Sequence, residues 1–372
     1  MIISASYKTD IPAFYGEWFM RRLRAGSCQM VNPYNGNPVP VNLKREPDEY
    51  GREGVDGFVF WTKNIGPFLR HLPEIRERGY PFVAQHTING YPRQLEARVV
   101  NYDRAVANMH RLAKEYGPKV AVWRYDPILI TSLTPPEWHR DTFAKLAGQL
   151  RGATDEVVIS LAQVYKKTAR NMDLAAKRSR SGFTWREHEA FAYDEERLEE
   201  ARALVRELAA VAGENGMTLT VCSQKRFEIE GVVGPAHCIE ADRLANVARE
   251  AGIEGKPISA KVKGNRPECA CSASRDIGDY DTCPHGCVYC YAVTDRNKAL
   301  DRYRQHDPAS EFLFTPESRT IQIARPPIPK PPRTKVVGGR AKRAAKNSAR
   351  GVATVMQPSV WDAAPRSDGE SS

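Results

Sequence analysis

The run Val120–Ile130, VAVWRYDPILI, decides how the rest of the chain is read. Its first four residues are apolar without alternation. That is the pattern of a strand covered on both faces, as in a parallel sheet, and not of one with a wet side. Arg124 and Asp126 interrupt it two positions apart, on one face of a strand, where each buried charge supplies the partner the other needs. Such a pair can hold the polar ends of a bound molecule, or it can close the core as a structural ion pair.

Working outward, the same near-continuous apolar pattern recurs at Ile2–Ser6, Gly57–Lys63, Phe82–Ile88, Val157–Val164 and Thr218–Ser223. Helical periods lie between these runs. Ile11, Phe14, Tyr15, Trp18, Phe19 and Leu23 trace one face, with Pro12 at the start and Gly26 at the stop. Thr134-Pro-Pro-Glu137 reads as a capping box opening a helix through Trp138, Leu146 and Leu150. Leu198, Ala201, Val205, Leu208 and Ala212 mark a longer helix, and Glu240 to Gly252 a weaker one. No Gly-rich dinucleotide fingerprint or P-loop follows any strand. The expected fold is therefore α/β, an incomplete parallel TIM-like barrel of six βα units. The chain divides into this partial barrel over 1–260, a cysteine-rich iron–sulfur segment over 261–315, and a Pro-rich then basic flexible tail over 316–372.

The 372 residues carry a net charge of +10. Ten Lys/Arg against three Asp/Glu from Arg325 onward account for +7 of it. The basic signal therefore belongs to the tail, where it predicts weak nucleic-acid contact. No apolar run is long enough to span a membrane. The start, MIISASYKTD, has no basic region ahead of an apolar one, so a cytoplasmic protein is expected.

Eight cysteines in such a chain point to metal or redox chemistry and away from a disulfide framework. Five fall between Cys269 and Cys290. Cys283-Pro-His-Gly-Cys287-Val-Tyr-Cys290 is a C-x3-C-x2-C run, and three thiolates on one loop can hold three corners of a [4Fe-4S] cluster with one iron open. Structural zinc takes four ligands, and His285 could complete such a set. Cys222, Cys238, Cys269 and Cys271 would make a second, closed site for iron–sulfur or zinc, so one cluster or two are expected. Cys28, after a helix stop, reads as structural.

The loop, with Tyr289 just before its last cysteine, resembles the signature loop of the radical S-adenosylmethionine superfamily. Over most of its length the chain resembles the bacterial family called domain of unknown function 1848. The stretches carrying that resemblance are SASYKTDIPAFYGEWFMRRLRAG, VFWTKN, VWRYDPIL, VISLAQVYKKTARN and DIGDYDTCPHGCVYCYA. The resemblance implies reductive cleavage of S-adenosylmethionine to a 5′-deoxyadenosyl radical acting on an unknown substrate. An electron donor such as a flavodoxin or ferredoxin would be a partner. Tyr289, Arg124 and Asp126 are then expected at the cofactor, and Lys63, Asn64 and Gln85 at the substrate. Asp10 reads as a helix N-cap. Two other functions fit the residues: a non-catalytic iron–sulfur protein for electron transfer or redox sensing, and a zinc-stabilised nucleic-acid-binding module. In the superfamily the three-cysteine loop follows the first strand. Here it follows the sixth, and reaches the strand ends only by folding back.

Overall fold

The computed structural model describes residues 1–32, 35–180 and 182–315, and the expected tail lies outside them. The strands are β1 (Ile2–Ala5), β2 (Ser27–Val31), β3 (Pro38–Asn42), β4 (Gly57–Thr62) and β5 (Phe82–Thr87), then β6 (Ala121–Ile128), β7 (Glu156–Leu161), β8 (Thr218–Val221), β9 (Gly234–Pro235) and β10 (Ser274–Asp276). The α-helices are α1 (Ile11–Phe14), α2 (Gly16–Ala25), α3 (Leu72–Glu77), α4 (Tyr102–Tyr116) and α5 (Pro136–Leu150), then α6 (Lys166–Arg178), α7 (Glu187–Tyr193), α8 (Leu198–Glu214), α9 (Ala241–Glu250) and α10 (Arg296–Arg304).

Eight strands form one sheet in the order β10-β1-β4-β5-β6-β7-β8-β9, and every neighbouring pair is parallel. The six expected strands are β1 and β4 to β8. The edge strands β9 and β10 have two and three residues, too few to show a period. β2 and β3 pair separately as an antiparallel hairpin. Pro38 and Pro40 hide β3 in the sequence, because proline is tolerated only where its strand needs no ladder donor.

Two local expectations are corrected. The first helix is broken at Tyr15, whose hydroxyl donates to the Thr282 carbonyl at 2.5 Å. At the break Gly16 lets the chain approach Phe68, 2.9 Å from where a Cβ would stand. The capping box before α5 does not form: Pro135 is the N-cap, and Thr134 Oγ1 donates to the Leu129 carbonyl instead. Two prolines at this entrance set the backbone without a side-chain cap.

The two faces of the sheet differ in chemistry. Phe58 and Phe60 on β4 point outward and meet Phe19 of α2 at 5.2 and 5.3 Å between ring centroids. On the other face Trp61 donates to Ser4 Oγ, and the Arg124 guanidinium lies over the indole. Gln85 Nε2 on β5 donates to the Cys238 carbonyl beyond β9 at 2.8 Å. In a flat sheet four strand spacings would separate them by about 19 Å, so the sheet is strongly curled. Strand pairing does not close it. Between the two edges, Ser272 N–H donates to the Ile239 carbonyl at 2.8 Å and Ala241 N–H to Ser272 Oγ at 3.2 Å. Among the described residues no helix is long and apolar enough to cross a membrane.

Candidate metal centre at the strand carboxyl ends

Polar side chains collect where β1, β4, β5, β6 and β8 end. After β1, Asp10 caps α1 by accepting from Ala13 N–H at 2.9 Å. Its other oxygen accepts from Lys63 N–H, just past β4, and faces His285 Nε2, both at 2.7 Å. One carboxylate therefore fixes a helix start, the end of β4 and the cysteine loop. The loop is tied down twice more, by Arg98 N–H donating to the His285 carbonyl and Val288 N–H donating to the Leu95 carbonyl, each at 3.0 Å. The C-terminal segment thus folds back over the strand ends.

Lys63 Nζ pairs with Glu96 at 2.8 Å and lies 5.7 Å from the centre of the Tyr289 ring. Burial would lower the Lys63 ammonium, but Glu96 and the Cys287 thiol outweigh it and the net direction is upward. Tyr289 Oη donates to the same Glu96 carboxylate. Asn89 Nδ2 donates to Tyr289 Oη at 3.2 Å, while Asn89 Oδ1 accepts from Asp126 N–H at 2.9 Å. Beside this network a cleft of about 200 Å³ is lined by Lys63, Asn89, Tyr91, Glu96 and Tyr102.

Arg124 Nη2 and Asp126 Oδ2 are 2.6 Å apart, the pairing expected from their spacing. Burial opposes the Asp126 carboxylate, yet Arg124 and Ser160 hold it below the usual range. Arg124 Nη1 also donates to Gln85 Oε1 at 3.2 Å and to Cys238 Sγ at 3.0 Å. Asn64 Oδ1 accepts from Gly66 N–H and shapes the turn after β4. Of the residues expected at a substrate, Gln85 and Asn64 have local partners, and Lys63 borders the cleft.

The cysteines fall into two groups. Cys283, Cys287 and Cys290 share the loop, and burial pushes all three thiols up. His285 in the same loop is buried, and its Nδ1 has no hydrogen-bond partner. Cys222, Cys238, Cys269 and Cys271 come from three separate segments. Cys222 and Cys238 Sγ are 3.6 Å apart, and side-chain contacts link Cys238 to Cys271 and Cys271 to Cys269. Cys28 is buried on β2. Glu96, Asn89 and Arg266 carry no sequence signal beyond Arg266 lying near Cys269, and only the fold brings them in.

Among the described residues no three His, Cys, Asp or Glu side chains converge as ligands of one ion must. Tetrahedral zinc with Zn–S near 2.3 Å needs thiolates about 3.8 Å apart all round. The loop thiols therefore do not fit a mononuclear centre. Three thiols on one loop, Cys287 buried and Cys283 and Cys290 half-buried, are the kind of donor set that separate corners of an iron–sulfur cluster would need.

Fold and site together define a curled, parallel α/β protein with a cysteine-rich cap on its strand ends. The chain belongs to the family described as domain of unknown function DUF1848, whose model matches residues 2–292. No curated protein matches it significantly. Among solved structures it has a likeness to a D-hydantoinase, at 10% identity over 54% of this chain and 38% of that one, with a TM-score of 0.26. Another is a D-hydantoinase from Bacillus sp. AR9, at 12% identity over 61% and 45% of the two chains, with the same TM-score. The chain spans less than half the length of either. At such scores the likeness carries no argument.

Proposed function

We propose that the protein is an iron–sulfur enzyme of radical S-adenosylmethionine type, built on an incomplete TIM-like barrel. The observation that carries this reading is the placing of Cys283, Cys287 and Cys290, the second buried and the other two half-buried, in one loop bound against the ends of β1, β4 and β5. These three thiols would hold a [4Fe-4S] cluster. When bound and reduced, such a cluster supplies one electron to the sulfonium bond of S-adenosylmethionine, releasing methionine and a 5′-deoxyadenosyl radical.

The chain's own residues prepare that chemistry. Asp10 orients His285 and, through the Lys63 amide, fixes the loop's distance from β4. Glu96, shared by Lys63 and Tyr289, keeps a cation beside the cysteines without a free charge. Arg124 and Asp126 present a paired cation and anion on the inner face, suited to the carboxylate and ammonium of an amino acid. Lys63, at the cleft, is the residue placed to meet a polar substrate. A flavodoxin or ferredoxin would deliver the electron.

The test is anaerobic reconstitution of the full chain with iron and sulfide. Adding S-adenosylmethionine should change the reduced cluster's electron paramagnetic resonance spectrum, with slow release of 5′-deoxyadenosine and methionine. Zinc as the only metal would overturn the reading.

A second reading, a closed electron-transfer cluster, is favoured by His285. Metal-binding histidines commonly place one ring nitrogen on a carboxylate and leave the other to the metal. Asp10 and the unpartnered Nδ1 match that arrangement. Loss of the loop's iron in His285→Ala, with a spectrum indifferent to S-adenosylmethionine, selects this alternative.

A further inference from the structure

We infer that Cys269, Cys271, Cys238 and Cys222 form a thiol–disulfide relay, in which oxidation taken up at Cys269 ends as a reversible disulfide between Cys222 and Cys238. It does not depend on how the Cys283–Cys290 loop is read. Cys222 directly follows β8, Cys238 lies three residues beyond β9, and Cys269 and Cys271 precede β10. β9 and β10 are the edges of the sheet. The thiols thus gather where strand pairing stops, beside the Ile239–Ser272 hydrogen bond.

The spacing selects this chemistry. Cys222 and Cys238 Sγ are 3.6 Å apart, and side-chain contacts continue from Cys238 to Cys271 and from Cys271 to Cys269. Thiols this close cannot serve separate irons of a cluster, and among the described residues no three donors converge on one ion. Touching thiols are instead one side-chain rotation away from a disulfide bond of about 2.05 Å. The order of contacts is also the order of access. Cys269 is half-buried and the other three are buried, so an oxidant meets Cys269 first. A buried thiol is otherwise inert. Here Arg124 Nη1 donates to Cys238 Sγ at 3.0 Å, Arg266 Nη2 to Cys222 Sγ at 3.2 Å, and Ile239 N–H to Cys271 Sγ at 3.4 Å. Such donors favour sulfur as thiolate, the form that attacks and leaves in exchange, which makes the inner pair reversible and not a structural brace.

The oxidant is a small organic disulfide, RSSR. The Cys269 thiolate attacks one of its sulfurs and releases RSH, which carries a proton away. Cys271 displaces the second RSH and leaves a Cys269–Cys271 disulfide. Cys238 then attacks Cys271 and frees Cys269 as a thiol. Cys222 attacks Cys238 and frees Cys271. In sum, two protein thiols and RSSR become one protein disulfide and two RSH, with two electrons and two protons passed to the oxidant.

The experiment treats the full chain anaerobically with oxidised glutathione, blocks the remaining thiols with N-ethylmaleimide in denaturant, and maps the digest without reduction. A Cys222–Cys238 crosslink is expected, lighter by two hydrogens than the two free peptides and reversed by dithiothreitol. Cys269→Ala should slow its appearance about tenfold, and Cys238→Ala should leave the oxidation at Cys269–Cys271. Cys222 and Cys238 both recovered as maleimide adducts from the treated chain would overturn the proposal. So would a crosslink that forms as fast in Cys269→Ala, or iron or zinc held by these four thiols in Cys283→Ala/Cys287→Ala/Cys290→Ala. The first mapping needs no substitution, so a variant that fails to fold cannot hide the result.

Discussion

The two cysteine groups lie at the same end of the sheet and are built in opposite ways. Cys283, Cys287 and Cys290 sit within one eight-residue run, Cys287 buried and the other two half-buried, with Lys63 and Lys167 as the cations that favour the Cys290 thiolate. The other four thiols arrive from three distant segments, and two of them, Cys222 and Cys238, meet arginine donors directly. Cys269 is brought down to about 6, chiefly by its hydrogen bond with Cys271. A loop that carries its own ligands can keep them while the scaffold loosens. An assembled group exists only while the sheet is curled, so anything bound there would be coupled to folding. The contrast separates a locally specified thiol group from one that reports on tertiary structure.

The strongest way to break this comparison is to remove metal. Anaerobic chelation of the reconstituted protein should lower Tm by more than about 10 °C. Most of that fall should vanish in Cys283→Ala/Cys287→Ala/Cys290→Ala and persist in Cys269→Ala/Cys271→Ala. An equal fall in both sets would mean the groups are energetically alike.

Next is the ion pair between the groups. Arg124→Met leaves the half-buried Asp126 with Ser160 as its remaining side-chain partner and should cost about 3 kcal/mol in urea unfolding. A loss below about 1 kcal/mol would mean that the pair behaves as an exposed one.

Acid probes the scaffold apart from either group. Burial lowers His139 to about 3 and His188 to about 4, below a free imidazole near 6.5. The unfolded chain therefore takes up protons first as pH falls. This stability is full above pH 6.5 and is lost progressively down to about pH 4. Between pH 7.5 and 5.5 each histidine should remove about 1.4 kcal/mol, read from unfolding midpoints and diminished in His139→Gln or His188→Gln.

The smallest effect sharpens the contrast best. Asp10→Ala should cost about 1 kcal/mol through the lost cap. By freeing His285 it should speed alkylation of Cys283, Cys287 and Cys290 in the metal-free protein several-fold. Cys222 and Cys238 should react as before.

What the sequence determined by itself was what lies within a few residues along the chain. Six strands were legible because strands buried on both faces must be apolar throughout. The Arg124–Asp126 pair was legible because a two-residue period puts both on one face. The C-x3-C-x2-C loop was legible as one group of thiols because its cysteines are adjacent in the chain. Tertiary structure alone decided the rest. The two-residue β9 and three-residue β10 are stabilised by the neighbours they pair with and not by their own composition. Glu96 became the shared partner of Lys63 and Tyr289 only when the segment after β5 covered the loop. Arg266 reached Cys222 across 44 positions because curling brought the sheet's edges together. Local patterning encodes burial, which each strand carries in its own residues. A contact between distant segments depends on how every intervening element packs, and no short stretch of chain contains that information.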